Sequence, residues 1–326
     1  MTVLIWTSFI VIARASADPQ RGGVLTPLDI AFARVLGAAM VLLPWGWWLV
    51  RRDRAGPGPA GAPARASSFW GLSPLSLRLT ATVGVFGGLL YALLAYSGFA
   101  FAPAAHASVL MPGSLPLWTA LLALGLLGER LTQARLLGLA CIVAGDLLVG
   151  GPSLLRAFDG GTVWKGDLLF ICAAFCWSVY SVLARRHRLD AVRATIAITA
   201  FAFFTYVPSY ALLVTLQALP SQLLGAPAAQ LLFQMAFQGL GSVVISGISF
   251  TRMIQYFGPV RSTMITALVP GLSAFGAVLF LGEPLHWNLA AGLALVTLGI
   301  LFGVRAGSIG AAQSQPVRAA ALRSGS

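Results

Sequence analysis

Apolar residues along this chain gather into ten runs separated by short polar, glycine- and proline-bearing breaks. The runs are residues 2–15, 28–50, 79–100, 105–127, 132–150, 165–184, 192–216, 229–254, 260–281 and 286–304. Most approach the roughly 20 residues with which a helix crosses a hydrocarbon core about 30 Å thick. None has the two-residue alternation of a barrel strand, and a helix satisfies its own backbone in lipid. The pattern therefore predicts an all-α integral membrane protein of ten transmembrane helices. Two stretches break it. Residues 51–78, rich in Pro, Gly, Ala and Arg, are expected to form a flexible cytoplasmic loop. Residues 305–326 lack apolar periodicity and are expected to be a disordered cytoplasmic tail.

Composition reinforces the pattern. Hydrophobic residues make up 58% of the 326 and charged residues only 9%, against roughly 25% charged in a soluble domain. The formal charge is +12, yet the basic residues sit between apolar runs and form no basic helix or aromatic-interleaved patch, so no nucleic-acid partner is expected. Sixteen lie on one side and five on the other when the N-terminus is placed inside. That asymmetry puts both termini in the cytoplasm. All but Lys165 are arginine, which reads as the coding bias of a GC-rich, bacterial genome. Cys141, Cys172 and Cys176 fall within apolar runs and read as small packing hydrophobes.

The chain also repeats itself. A shift of 154 lays LLGERLTQARLLGLACIVAGDLL over FLGEPLHWNLAAGLALVTLGILF, with Gly128-Glu129 on Gly282-Glu283, Gly138 on Gly292 and Gly145 on Gly299. The same shift places Ser108 on Ser262, Pro116 on Pro270 and Thr119 on Ser273. A weaker match at 171 joins Trp6-Thr7 to Trp177-Ser178. The reading is a first five-helix repeat over 1–150 and a second over 164–304. Five spans are odd, so the second repeat enters the membrane from the opposite side, the inverted topology used by secondary transporters with a midplane site between halves. About 13 residues precede Trp177 in its helix and five precede Trp6, so helix one is expected to be clipped or the start codon misplaced.

The residues that carry these matches are the aromatic opening LIWTSFIVIAR, Arg34 at the start of helix two, LLYALLAYSGFAFAPAAHASVLMPGSLPLWTALLALGLLGERL, and its counterpart LLFQMAFQGLGSVVISGISFTRMIQYFGPVRSTMITALVPGLSAFGAVLFLGEPL. In order, spacing and duplication the chain resembles, from residue 2 to about 304, the EamA-type branch of the drug/metabolite transporter superfamily. The resemblance implies ten helices in a 5+5 inverted-topology repeat that moves metabolites, often outward, across the bacterial inner membrane. It further implies substrates such as amino acids, purines or drug-like compounds.

Polar and aromatic residues inside the runs are the candidate site. On the eighth run Gln234, Gln238, Ser242, Ser246 and Ser249 recur every three or four positions and share one stripe. The stripe either lines a cavity or packs through small residues that bond back to their own helix. Ser108 and Thr266 extend the candidate cavity onto helices four and nine, whose Pro112, Pro116 and Pro270 are candidate gating kinks. Trp6, Tyr91, Trp177 and Tyr180 supply an aromatic wall suited to organic substrates, against the alternative of interfacial belts. Glu129 and Glu283 are expected to favour the positive ends of helices five and ten. Arg34 is expected to be structural, with Asp146 as a candidate mate. His106, His187 and His286 lack partners at ligand spacing, so no metal or cofactor is expected.

The function so read is a secondary transporter, an exporter acting by alternating access on a small-molecule substrate, in the bilayer as a monomer or homodimer. Its rivals are a membrane enzyme acting on lipid or isoprenoid and a non-transporting membrane subunit. No HExxH or G-x-S-x-G occurs among the nine acids and the serines that such an enzyme would use, and the chain is expected not to be an enzyme.

Overall fold

The computed structural model describes residues 1–17, 23–55, 66–128, 132–266 and 268–302. Among these, every regular element is helical; the single strand-like pairing is an antiparallel bridge between Ser68 and Ser73. The helices are α1 (Thr2–Ala17), α2 (Pro27–Ala55), α3 (Leu77–Phe99), α4 (Ala104–Leu127) and α5 (Gln133–Leu155). They continue with α6 (Val163–Arg186), α7 (Ala191–Thr215), α8 (Ala228–Phe257), α9 (Pro259–Leu281) and α10 (Trp287–Phe302). Eight of them, α2 to α9, are long and apolar enough to span a bilayer; α1 and α10 are apolar but shorter. Large side chains such as Leu147, Phe275, Leu279 and Phe280 remain exposed around the bundle, as expected of a surface whose solvent is lipid.

Three pairs of helices at corresponding places in the two repeats, α2 with α7, α4 with α9 and α5 with α10, pack against one another in antiparallel fashion. In α2 and α7, Tyr206 donates to the carbonyl of Leu28 at 2.8 Å at one end, while Arg193 meets Asp53 at 2.7 Å at the other. The first half of α4 lies on the second half of α9, and the second half of α4 on the first half of α9. In α5 and α10, Gly145 opposes Gly292 and Gly138 opposes Gly299. A methyl added at Gly299 would stand 2.4 Å from the Gly138 carbonyl oxygen. Only glycine lets these backbones approach so closely.

Departures from regular helix also recur across the repeat. Helix α4 is interrupted at 111–114, and α9 stops at Ile265 and resumes at Leu268. Each break falls about four residues before a matched proline, Pro116 or Pro270, whose ring displaces the carbonyl four positions back. Wide turns with i→i+5 hydrogen bonding occupy 85–90 of α3 and 235–245 of α8, overlapping under the shift of 154.

The 51–78 segment is less of a loop than its composition suggests. Helix α2 continues to Ala55, with Arg51 and Arg52 folded back over the rings of Trp47 and Trp48 at 3.8 and 5.4 Å. Residues 66–76 close into a turn in which Ser68 and Ser73 exchange backbone bonds and both hydroxyls meet Thr80. Phe69 stacks on Phe204 at 5.1 Å with backbone φ of 50°. Proline and arginine read as loop signals here because cation–π contacts and hydroxyl pairing do not appear in a hydropathy pattern. Residues 56–65, the tail 305–326 and Glu129 lie outside the described residues.

Candidate functional site

Five helices line a narrow central cleft: α2 brings Arg34, α3 Gly87 and Gly88, α6 Trp177 and Tyr180, α7 Thr195 and Thr199, and α8 Ser242. A second, smaller pocket lies between α1, α3, α4, α6 and α9, and Trp177 lines both. Its ring is the hub of an aromatic cluster, with centroids at 5.8 Å from Trp6, 4.8 Å from Tyr91, 5.3 Å from Tyr180 and 5.7 Å from Phe250. Two of these rings, Trp6 and Trp177, are matched by the repeat, and here they touch edge to face.

A chain of polar groups runs behind the rings. Arg34 Nη1 donates to Ser242 Oγ at 2.9 Å and to the Tyr96 hydroxyl at 3.4 Å. The Tyr96 hydroxyl in turn donates to Gln238 Oε1 at 2.9 Å. Trp6 Nε1 donates to Ser246 Oγ at 2.8 Å, and Ser246 donates to the Ser242 carbonyl at 3.0 Å. Gln238, Ser242 and Ser246 follow at four-residue spacing along α8 and all are buried on its inward side. Three buried polar atoms at this network have no hydrogen-bond partner: Trp177 Nε1, Gln238 Nε2 and Thr199 Oγ1.

Of the residues singled out in the sequence, Trp6, Tyr91, Trp177, Tyr180, Gln238, Ser242 and Ser246 come together at this centre. Ser108 and Thr266 do not. Their buried hydroxyls bond back to the carbonyls of Ala105 at 2.6 Å and Thr263 at 2.6 Å, the packing alternative open to such residues. Pro112 lines the smaller void, whereas Pro116 and Pro270 are buried in their helices. Arg34, expected as a structural residue beside Asp146, instead lines the central cleft; Asp146 Oδ1 on α5 is buried without a partner.

Glu283 is also repositioned. Its carboxylate accepts from the backbone N–H groups of Ala104 and Ala105 at 2.9 and 2.8 Å, and lies 3.7 Å from Arg14 Nε. It caps α4 rather than α10, because the 282–286 link crosses over the start of α4. Replacing Glu283 with alanine is expected to cost about 1–2 kcal/mol of stability, with glutamine intermediate, since two N–H groups lose a charged acceptor. A melting curve in detergent measures it; an unchanged Tm for the alanine variant would remove the cap.

Sequence alone does not single out Asp29 and Asp167. Fully buried Asp29 accepts from Thr26 N, Ser221 Oγ and Gln222 N at 2.8, 2.9 and 3.0 Å and from the Tyr210 hydroxyl, fastening α2 to α7 and to the 216–227 link. Asp167 accepts from Ser153 and pairs with His106 Nδ1 at 2.9 Å beside a vestibule of about 1440 Å³. Both acids stand near helix ends, where a carboxylate reads as a boundary; only three-dimensional packing buries them. Thr195 and Thr199 do carry a signal, a four-residue spacing within an apolar run. Among the described residues no group of three or more His, Cys, Asp or Glu could hold a metal ion.

A helical bundle with spanning helices, a central cleft and matched breaks in paired helices defines a membrane transporter. The model of the EamA-like transporter family matches residues 1–151 and again 164–305, and the chain belongs to that family. It is 31% identical over 209 residues to an uncharacterized transporter of Archaeoglobus fulgidus, an alignment covering 63% of this chain and 62% of the relative. It is 25% identical over 229 residues to the uncharacterized transporter YyaM of Bacillus subtilis, covering 67% and 69%. A solved crystal structure superposes with a TM-score of 0.57 over 93% of this chain and 94% of that one at 22% identity, a likeness of fold alone.

Proposed function

We propose that this protein is a secondary transporter that exports a small organic metabolite by alternating access between two inverted five-helix repeats, residues 1–150 and 164–304. The observation that carries the reading is the position of the cleft between α2 and α7 and between α3 and α8, helices at corresponding places in the two repeats, with Trp177 at its wall and Trp6 in contact with Trp177 behind it. Antiparallel packing of α2 on α7 and α4 on α9 supports an inverted relation, since a twofold axis in the membrane plane reverses each helix onto its mate. Matched breaks before Pro116 and Pro270 supply bending points beside the smaller pocket, which Met111, Pro112, Leu115 and Val269 line. The arginine distribution supports a bacterial inner-membrane protein with both termini in the cytoplasm.

Alternating access has a specific signature. With the three native cysteines replaced and one cysteine placed at Thr199, a membrane-impermeant thiol reagent is expected to label the cleft from either side of the membrane. A transported solute should slow labelling from both sides. Labelling from one side only, unchanged by any solute, would count against the mechanism.

A further inference from the structure

Arg34 is the charged side chain lining the central cleft, and it is only 7% exposed. Both of its hydrogen bonds leave from Nη1 and end on neutral hydroxyls. Among the described residues no carboxylate pairs with it and no hydrogen bond leaves Nη2 or Nε, while its guanidinium carbon lies 5.9 Å from the centre of the Phe9 ring. A buried charge without a counter-ion is costly and marks a ligand or ion pathway when it sits inside a membrane protein. The neighbouring orphans point the same way. Trp177 Nε1 and Gln238 Nε2 are donors without acceptors and the Thr199 hydroxyl is free to donate, whereas no acidic acceptor among the described residues lines the cleft.

From this surplus of donors, and resting on the transporter reading above, we infer that the substrate is an organic monoanion whose carboxylate binds the free edge of Arg34. The planar guanidinium offers Nη2 and Nε as a fork matched to two carboxylate oxygens. One positive charge balances one negative charge, which disfavours a dianionic phosphate. An ammonium group would find no acidic partner and would be repelled by Arg34, which disfavours amines and weakens zwitterions. Trp177 and Tyr180 on one side and Val35, Ile198 and Ala202 on the other give an apolar slot. An aromatic or branched body fits it, and a second acceptor oxygen on the substrate would satisfy Trp177 Nε1.

The full-length protein, purified and reconstituted, tests this with three probes of one shape and different charge: phenylpyruvate, phenylalanine and phenethylamine. Binding is read from the shift in thermal unfolding and transport from flux into proteoliposomes. Phenylpyruvate is expected to bind about 10- to 100-fold more tightly than phenylalanine, because both offer the carboxylate but only phenylalanine must bury an unpaired ammonium beside Arg34, and phenethylamine not at all. Arg34→Gln should erase the ranking, and Arg34→Lys should keep part of it because charge remains without the fork. The wild-type ranking decides the matter even if the glutamine variant fails to fold. Phenethylamine or phenylalanine binding as well as phenylpyruvate would overturn the inference, as would Arg34→Gln retaining the preference. Equal flux of all three overturns the inference and leaves the transporter reading standing. Binding of phenylpyruvate with no flux of any probe does the reverse, and absence of both overturns both.

Discussion

Trp177→Ala is expected to abolish saturable transport and to lower stability by about 3 kcal/mol or more, the range for deleting a large buried aromatic side chain. Four rings lose their common neighbour, and edge-to-face contacts contribute beyond buried area. The functional loss has a separate cause. Trp177 lines both the central cleft and the smaller pocket, so alanine joins them into one space and removes the partition that the proposed alternating access requires. Trp177→Phe separates the two effects: it keeps most of the ring packing but removes Nε1, so stability should fall modestly while substrate affinity drops. Parallel melting curves and flux assays decide. Full saturable flux from the alanine variant would take Trp177 out of the translocation path.

The second large effect is expected at the crossing of α2 and α8. A methyl group on Gly37 would stand 2.3 Å from the Met235 carbonyl oxygen, and one on Gly239 would stand 2.7 Å from the Ala38 nitrogen. Both obstacles are backbone, so neither can be relieved by a rotamer change. Overpacking of an ordinary core costs about 1–3 kcal/mol, and separating two helix backbones costs more. Gly37→Leu should yield little monodisperse protein on size exclusion, and even Gly37→Ala should lower Tm. Gly125 lies within α4, and a methyl group added there would meet nothing within 4 Å. There Gly→Ala is expected to be neutral or to stabilise by up to about 1 kcal/mol through helix propensity. Similar Tm values for Gly37→Ala and Gly125→Ala would refute the close-packed crossing.

Much of this architecture is legible in the sequence because lipid imposes a simple grammar. Apolar runs coincide with the ten helices α1 to α10 among the described residues, and glycines drawn from the pairs that the shift of 154 matches, such as Gly145 and Gly292, stand opposite each other. Helix interiors are harder to read. Nothing in the order of residues announces the wide turns at 85–90 and 235–245, because they depend on how α3 and α8 pack against α7 and α2. The candidate site divides along the same line. Gln238, Ser242 and Ser246 are recoverable from periodicity, and Trp6 and Trp177 from the repeat. Ser108 and Thr266 satisfy the same periodicity yet bond to their own helices, since a hydroxyl has an intrahelical option that an amide or indole lacks. Arg34 escapes such reading because a lone arginine near a helix start resembles an interfacial anchor. Its role depends on Tyr96 and Ser242, 62 and 208 residues away in sequence.

If the cleft changes sides as proposed, the guanidinium of Arg34 also responds to voltage. The empty cleft would then carry one positive charge, and with the proposed monoanion bound it would carry none. A full transmembrane field acts on a unit charge with about 2.3 kcal/mol per 100 mV, so even the fraction traversed as the cleft changes sides is enough to bias the empty form. With a negative interior, the unloaded protein is drawn toward the conformation that opens to the cytoplasm, while the neutral loaded form reorients without an electrical penalty. The membrane potential would then reset the carrier to its cytoplasmic loading state after each release, a bias toward efflux that arises from a single residue.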